Sequence, residues 1–324
     1  MISFKEKQLE LIQNLGDVMS FSYDLQRVNR LAKTKQKELV KNAENFYIWQ
    51  LEEIADNIVK QKSKIVLVAG PSSAGKTTSS FEIKRALKKR GIKAHVVSMD
   101  DFFVNKIDTP LLSDGSYDFE NVTAVDIPYF KKFLKDILAG KVANLPFYDF
   151  LLGQRTMLTP MRVEQGEVII IEGLHALNPI CMKGIAKQNF YKVFVAVASN
   201  FCVGDEVVVH PKQIRFMRRL LRDYYKRGSS VSSTVEHWRK VVHGETKYIL
   251  PFKPEADFIL NTTHIYEPLL YDKYLQPVVA EHPTAPEIQE LLEIFKHTGA
   301  IDEKFVPKHS LIREFLPENE NLYP

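Results

Sequence analysis

The sequence predicts an α/β fold in which a doubly wound parallel sheet carries helices on both faces. Two short apolar runs, at residues 65–69 and 167–171, are typical of strands that are buried on both faces. A glycine-rich loop at residues 70–77 follows the first run and leads into a helical pattern. Strands that alternate with helices along a chain form one parallel sheet with right-handed crossover connections.

The composition is that of an ordinary globular protein. Of the 324 residues, 45% are hydrophobic and 26% are charged, and the net charge of +4 does not by itself indicate nucleic acid or a membrane. No run of 18 apolar residues occurs, and the first residues lack the apolar stretch of a signal peptide. Two cysteines, Cys181 and Cys202, are too few for a disulfide framework. We therefore expect a cytoplasmic protein with free thiols and no membrane partner.

Hydrophobic periodicity predicts the remaining elements. Apolar residues recur every three or four positions at 35–61, which predicts a long helix, whereas residues 1–34 are polar and weakly patterned. We expect an N-terminal helical extension at 1–60, a core domain at 61–265 and a C-terminal helical wrap at 266–324. Within and after the core, the predicted elements are strands at 93–99, 192–198 and 256–260, helices at 125–139 and 287–297, and a loop or short hairpin at 146–156.

The glycine-rich loop carries the most specific motif. Residues 70–77 fit G-x-x-x-x-G-K-[ST] at every position, between a predicted strand and a predicted helix. The two glycines allow backbone conformations closed to other residues, so the loop amides can surround phosphates in a P-loop NTPase-type fold. Lys76 would reach the β- and γ-phosphates, and the Thr77 hydroxyl would bind Mg²⁺. The expected ATP-binding residues are Gly70, Ser72, Ser73, Ala74, Gly75, Lys76, Thr77 and Thr78.

Acidic residues follow two further predicted strands. Asp100 and Asp101 come directly after the strand at 93–99, and Glu172 ends the apolar run at 167–171. Because ligands bind at the carboxyl ends of parallel strands, and successive side chains point to opposite faces, we expect one aspartate to face the nucleotide. We expect Glu172 to make the second Mg²⁺ contact. A turn with helix-capping aspartates and a surface acid remain the alternative interpretations.

A basic helical face is predicted in the second half of the core. Two polar helices occupy about 211–247, divided by Gly228, and the first carries four arginines at i, i+3, i+4 and i+7. Anions would relieve the repulsion between these charges, so we expect a lid that closes over the reacting phosphoryl group. A solvated face, or one that touches RNA, is the alternative. The four arginines are Arg215, Arg218, Arg219 and Arg222.

Together these blocks resemble the uridine kinase and phosphoribulokinase family of P-loop kinases. The resemblance covers roughly residues 64–262, and the tail at 310–315 resembles that of a bacterial branch of uridine-kinase-like nucleoside kinases. In addition to the P-loop, the matching blocks are 98–103, 121–126, 146–150 with Arg155, 171–173, and 218–223 with Arg227 and Gly228.

The resemblance implies a role for each matching residue. Asp100 aligns with the general base that takes the proton of the substrate hydroxyl. Asp126 matches an acid that holds ribose hydroxyls. The implied catalytic residues are Asp100, Lys76, Arg218, Arg219 and Arg222, and the implied substrate-binding residues are Asp101, Phe103, Asp126, Tyr148 and Arg155.

The sequence therefore predicts an ATP-dependent, Mg²⁺-requiring kinase of a primary hydroxyl, with the 5′-hydroxyl of a nucleoside as the expected acceptor. Gly153 stands where uridine kinases carry a histidine that reads the pyrimidine, and Ser233 replaces a lid glutamine. These departures keep a same-fold kinase of another hydroxyl metabolite, such as a sugar phosphate or glycerate, as the nearest alternative. An RNA-linked ATPase is a further alternative, although no aromatic platform accompanies the basic face. The expected partner is a small-molecule substrate; nucleic acid is not expected, and a homo-oligomer is left open.

Overall fold

The computed structural model describes residues 22–317. Its strands are β1 (Ser22–Asp24), β2 (Ile65–Ala69), β3 (Ala94–Ser98), β4 (Ala143–Asp149), β5 (Gln154–Met161), β6 (Val168–Glu172), β7 (Phe190–Ala196), β8 (Asn200–Val203), β9 (Glu206–Val209) and β10 (Phe258–Asn261). Its helices are α1 (Leu25–Thr34), α2 (Gln36–Gln61), α3 (Lys76–Lys89), α4 (Ile127–Leu138), α5 (Pro179–Met182), α6 (Pro211–Arg227), α7 (Val231–Tyr248), α8 (Glu267–Val279) and α9 (Pro286–Phe295).

The central sheet has five parallel strands in the order β10–β7–β2–β6–β3. The strand order reverses beside β2, since the chain runs from β2 outward to β3 and returns through β6 to the other side at β7. Ligands of open α/β sheets bind at the carboxyl edge of such a reversal. The parallel sheet with helical layers on both faces confirms the predicted doubly wound α/β fold.

Alternation along the strands divides the core into two layers. Val66 and Val68 of β2 face a cluster with α2, α3, α6 and α8, whereas Leu67 and Ala69 face a cluster with α4 and the β4–β5 hairpin. All five residues of β2 are buried, as are those of β6. The P-loop strand is therefore held rigidly from both sides, and its carboxyl end is a stable support for a site.

Several elements were not predicted from the sequence. Helix α1 begins at Leu25 and is capped by Asp24, whose carboxylate accepts hydrogen bonds from the backbone amides of Gln26 and Arg27. β1 joins β8 and β9 in a separate small sheet, in which Tyr23 packs on Phe201 with ring centroids 5.6 Å apart. Strands of three or four residues are too short to show a period, which explains why they were missed. The first part of the predicted N-terminal extension, residues 1–21, lies outside the described residues.

The C-terminal wrap is tied to the N-terminal helices through buried polar contacts. The Glu44 carboxylate on α2 accepts hydrogen bonds from the Ser310 hydroxyl at 2.6 Å and from the Tyr266 hydroxyl at 2.5 Å. Because all three side chains are buried, their hydrogen bonds fix α2 relative to the C-terminal wrap. None of the helices in the described part of the chain is sufficiently long and apolar to cross a membrane.

Candidate active site

The P-loop connects β2 to α3 and is closely packed from outside. A Cβ atom at Gly70 would lie 2.1 Å from the carbonyl oxygen of Val195 on β7. Gly75 has a φ of +89°, and its Cβ would lie 2.7 Å from a methyl carbon of Leu311. Glycine is required at Gly70 because a backbone oxygen cannot move aside, and at Gly75 because of the left-handed conformation. Both conserved positions of the motif therefore have a steric reason in this chain.

A cavity of about 680 Å³ opens at the carboxyl edge of the sheet, beside the P-loop. Its floor includes Gly75, Lys76 and Thr77, and the Lys76 amine donates to the carbonyl oxygen of Pro71 at 3.2 Å. The other charged lining residues are the carboxylates of Asp100, Glu120, Glu172 and Glu314 and the guanidinium groups of Arg219, Arg222 and Arg227. A polar, strongly charged cavity of this kind suits a phosphorylated ligand.

Strand register brings two predicted carboxylates together. Glu172 on β6 is paired with Val68 on β2 and with Ser98 on β3. Asp100 lies two residues beyond Ser98 in a short turn, and the backbone amide of Asp100 donates to the Ser98 hydroxyl at 3.3 Å. The ends of β2, β3 and β6 are therefore level, and each contributes a polar group to one cavity.

Thr77 and Glu172 form the part of the cavity that suits Mg²⁺. The Thr77 hydroxyl donates to Oε1 of Glu172 at 3.3 Å, so one oxygen from each could bind the same cation. Among residues 22–317, no cluster of three or more carboxylate, histidine or cysteine ligands occurs. This arrangement suits Mg²⁺, which keeps several water molecules and takes its remaining ligands from substrate phosphates.

The cavity carboxylates repel one another. Burial raises the pKa of Asp100, and the positive charges of Lys76 and Arg227 partly oppose this rise. Burial, followed by the charge of Asp100, raises the pKa of Glu172 to about 7. Added positive charge is therefore favourable here, and a divalent cation would return both groups toward their ionised forms.

Three of the predicted substrate-binding residues lie together next to the cavity. Asp101 accepts a hydrogen bond from the backbone amide of Tyr148 at 3.3 Å, so it points toward the β4–β5 hairpin. Phe103 packs against the Tyr148 ring and against Phe150, with centroids 5.7 and 6.2 Å apart. Phe150 and Leu151, at the tip of the hairpin, line the cavity themselves. The aromatic cluster thus supports the wall on which an acceptor would rest.

Asp126 and Arg155 have structural partners in place of a cavity position. The Asp126 carboxylate caps α4 by accepting from the Tyr129 amide at 3.0 Å, and its second oxygen accepts from Arg155 at 2.8 Å. Neither side chain lines the cavity. Each carboxylate oxygen has accepted one hydrogen bond and keeps a further lone pair, so the expectation that Asp126 holds substrate hydroxyls stays a prediction.

The arginine face of α6 lies against the P-loop backbone. Arg215 donates to the carbonyl oxygen of Ser72 at 2.9 Å and pairs with Glu245 at 2.5 Å, and the Ser72 amide donates to that carboxylate. Arg219 donates to the Ser72 hydroxyl at 3.1 Å. Helix α6 therefore holds the P-loop through Ser72, and the expected closure of a lid stays a prediction.

Arg218 was expected to act on the phosphoryl group, and the structure contradicts this. Its side chain is fully buried and pairs with the equally buried Glu267 at 2.7 Å. It also donates to the carbonyl oxygens of Ser73 and Ala74, at 3.3 and 3.4 Å. A guanidinium with all these acceptors behind the loop cannot reach a ligand inside the cavity, so Arg218 supports the P-loop from below.

Arg227 takes the cavity position that was expected of Arg218. Asp223, which is buried, pairs with Arg219, Arg222 and Arg227 at 3.1, 2.9 and 3.5 Å. All three arginines line the cavity, and Asp223 orients them from the side away from it. One carboxylate is thus shared by three guanidinium groups, which keep N–H donors for a phosphoryl group.

The family pattern described as "Phosphoribulokinase / Uridine kinase family" matches residues 65–266, which is more than half of the chain. The chain belongs to this family. The resemblance seen in the sequence is thereby confirmed, and the protein is a kinase, that is, a phosphotransferase.

Curated relatives in the phosphoribulokinase/uridine kinase family are similar over most of their own length. The uridine kinase of Mycoplasma genitalium is 27% identical over 201 residues, which cover 62% of this chain and 85% of the relative. That of Ligilactobacillus salivarius is 29% identical over 202 residues, covering 62% and 86%. A Bacillus stearothermophilus structure described as a possible uridine kinase is 18% identical, covers 64% and 98%, and has a TM-score of 0.39. This TM-score is too low to support an argument about substrate.

Glu120 is a site residue of this family member that was missed from the sequence. It lines the cavity together with Asp100, and its Oε2 atom is buried without a hydrogen-bond partner. Burial, followed by the charge of Glu245, raises the pKa of Glu120 to about 7. It lies in a segment that appeared to be a polar loop, and no spacing rule distinguished it from Asp118 or Asp126. An unpaired acceptor beside Asp100 suits a ligand that brings hydroxyl donors.

Proposed function

We propose that this kinase uses ATP and Mg²⁺ to phosphorylate a primary hydroxyl, and that the acceptor is the 5′-hydroxyl of a nucleoside. The observation that carries the proposal is the position of Asp100. Its carboxylate shares one cavity of about 680 Å³ with Lys76 and Thr77 of the P-loop and with the arginines oriented by Asp223. Phosphoryl transfer needs mainly such positioning and charge neutralisation.

Each group has one task in the proposed reaction. The P-loop amides and Lys76 hold the phosphates, and Arg219, Arg222 and Arg227 neutralise the group in transfer. Thr77 and Glu172 would hold Mg²⁺, and the cation would supply positive charge beside the phosphates. Asp100 accepts the proton of the attacking hydroxyl, and the nearby charges of Lys76 and Arg227 favour its ionised form.

The acceptor would lie between Asp100 and the hairpin tip. Glu120 supplies an unpaired oxygen for further hydroxyl groups, and Phe150 and Leu151 supply apolar surface for a base or sugar ring. The relatives named uridine kinase, at 27 and 29% identity, support a nucleoside as this acceptor. A polar and an apolar wall facing one another match the two sides of a nucleoside.

One observation favours a second candidate, a kinase of another hydroxyl metabolite. Gly153 has a φ of +65°, and a Cβ atom there would lie 2.9 Å from Cβ of Lys106. A histidine that reads a pyrimidine does not fit at this position without movement of the backbone. The protein would then recognise a nucleobase through side chains other than this histidine, or it would accept a substrate without a nucleobase.

The test is a substrate panel assayed by ADP release, with uridine, cytidine, adenosine, guanosine, D-ribulose 5-phosphate, fructose and D-glycerate as acceptors. We expect turnover with at least one nucleoside, and loss of this turnover when Mg²⁺ is chelated or in Lys76→Ala. Turnover with a sugar or glycerate alone would replace the nucleoside by the second candidate. ADP release that depends on added RNA and on no acceptor would contradict the kinase proposal altogether.

A further inference from the structure

The C-terminal segment at residues 310–316 forms an outer wall of the P-loop. Leu311 is fully buried against Gly75, and the Phe315 ring lies 5.0 Å below the guanidinium of Arg218. The amine of Lys226 on α6 donates to the carbonyl oxygen of Arg313 at 3.1 Å. The segment is therefore anchored by its buried side chains to both the P-loop and the arginine helix.

Within this anchored segment, Glu314 points its carboxylate at the P-loop helix. It accepts a hydrogen bond from the hydroxyl of Thr78, the third residue of α3, and it lines the same cavity as Lys76. Its negative charge acts on Lys226 and Arg227, which both belong to α6. No other feature of the described segment 310–316 brings a charged group into the cavity.

The first turn of α3 is where a bound nucleotide needs positive potential. Its amides, the helix dipole and the arginines of α6 all attract the phosphates of a ligand. Glu314 is an anion in this field, and its contact with Thr78 places its carboxylate beside the first turn of α3. Two anions cannot occupy one helix terminus without strong repulsion, so a phosphate and this carboxylate exclude each other.

We propose that Glu314 is a resident anion of the donor site: it occupies the end of α3 in the free protein, and the phosphates of the nucleotide displace it. The proposal rests on the proposed function, in that it takes the cavity to be the nucleotide site. The buried anchors Leu311 and Phe315 stay in place, and the Glu314 side chain alone swings away. The Thr78 hydroxyl then exchanges a carboxylate acceptor for a phosphate oxygen. The C-terminal segment thus sets the affinity for the donor.

The test measures binding of ATP and of inorganic triphosphate by calorimetry in wild-type protein and in Glu314→Gln. The substitution keeps the size of the side chain and removes its charge, so we expect both ligands to bind about tenfold more tightly. Glu293→Gln is the matched control, because Glu293 is exposed on α9 and pairs only with Lys296 among the described residues. This control should bind both ligands as wild type does.

The outcomes separate this inference from the proposed function. If the wild-type protein binds ATP and Glu314→Gln binds it no more tightly, or more weakly, Glu314 is not displaced by the phosphates. The assignment of the cavity as the nucleotide site would be unaffected by that result. A loss for ATP alone, with triphosphate unchanged, would show that Glu314 recognises the nucleoside part. Absence of ATP binding in every variant would overturn both proposals. Should Glu314→Gln not fold, Glu314→Asp serves in its place, because the shorter side chain withdraws from Thr78 and should raise both affinities to a smaller extent.

Discussion

Glu120 illustrates how a single residue stores electrostatic strain beside the P-loop. Its Oε2 atom has no hydrogen-bond partner, and the carboxylates of Glu245 and Asp100 lie close enough to disfavour its ionised form. A buried acid in such surroundings costs stability whenever it is charged. We expect a ligand that brings hydrogen-bond donors to Glu120 to relieve this strain.

Glu120→Gln should therefore stabilise the ligand-free protein at high pH. The pKa of Glu120 in the folded state is raised to about 7, so the folded protein holds this proton more tightly than the unfolded chain does. The protonated Glu120 side chain contributes fully to stability below its unfolded-state pKa of roughly 4.3. This contribution is lost as the pH rises through the folded-state pKa of about 7. We expect the variant to gain on the order of 2 kcal/mol over wild type at pH 8 and little at pH 4.5.

Thermal unfolding at several pH values, without nucleotide, measures this difference. Glu293→Gln removes a charge from an exposed pair, and the difference in melting temperature between this variant and wild type should not widen with pH. A constant difference between Glu120→Gln and wild type across the pH range would show that Glu120 is not strained.

At the scale of single residues, sequence motifs identified the groups of the P-loop and the strand ends, because the phosphate chemistry demands those residue types. They did not separate Arg218 from Arg219. The i, i+3, i+4 spacing places both on one face of α6, but it does not show which side of that face packs on Glu267 and which meets the cavity. Only the burial of the partner carboxylate decides this.

Helix α6 combines two functions along its length. Its arginines at 215 and 218 hold the P-loop backbone and pair with buried glutamates, whereas those at 219, 222 and 227 line the cavity around Asp223. The buried pairs require their partners, since an uncompensated charge in the core is costly. The cavity arginines are compensated only in part and remain available to a phosphoryl group.

Two substitutions on this helix should consequently have opposite signatures. Arg218→Met removes the guanidinium that pairs with the buried Glu267, whose carboxylate keeps hydrogen bonds from the Tyr271 hydroxyl and the His264 amide. We expect a loss of about 3 kcal/mol in the free energy of unfolding, because the buried charge has lost its main counterion. Arg222→Met removes a partly exposed side chain, so it should change stability by less than about 1 kcal/mol while turnover falls about 100-fold.

Urea unfolding and ADP release on the same preparations separate the two effects. Restoring a neutral pair with the double substitution Arg218→Met/Glu267→Leu should recover much of the lost stability. If Arg218→Met were as stable as wild type and only slowed turnover, Arg218 would belong to the catalytic group after all.

Elements with a strong period or a fixed motif were predicted well, and short ones were not. The predicted helix at 35–61 corresponds to α2, and the apolar run at 65–69 corresponds to β2. The small sheet of β1, β8 and β9 escaped prediction because its strands are three or four residues long and β1 pairs with β8 from a distant part of the chain. Such strands depend on tertiary contacts more than on their own sequence.

Over the described residues, helix α2 and the segment at 310–316 meet behind the P-loop cavity. The Glu44 carboxylate joins α2 to Ser310, and the segment that follows reaches the P-loop through Leu311 and Glu314. No local pattern in the sequence predicted this contact, since it links positions more than 200 residues apart. The core domain is thus completed by the chain on either side of it.

The central feature of the molecule is that the ends of β2, β3 and β6 supply one cavity with the P-loop, Asp100 and Glu172. In the reaction that we propose, transfer depends on Asp100, because the acceptor hydroxyl is a poor nucleophile until its proton has an acceptor. We therefore expect the Asp100 carboxylate to matter for turnover more than for the binding of ATP.

The most direct measurement therefore compares Asp100→Asn with wild type in two assays, ATP binding by calorimetry and ADP release with the acceptor found in the panel. The variant should bind ATP within about threefold of wild type, while its turnover falls by about 10²- to 10⁴-fold. Turnover near the wild-type rate, with ATP still bound, would contradict the assignment of Asp100 as the base.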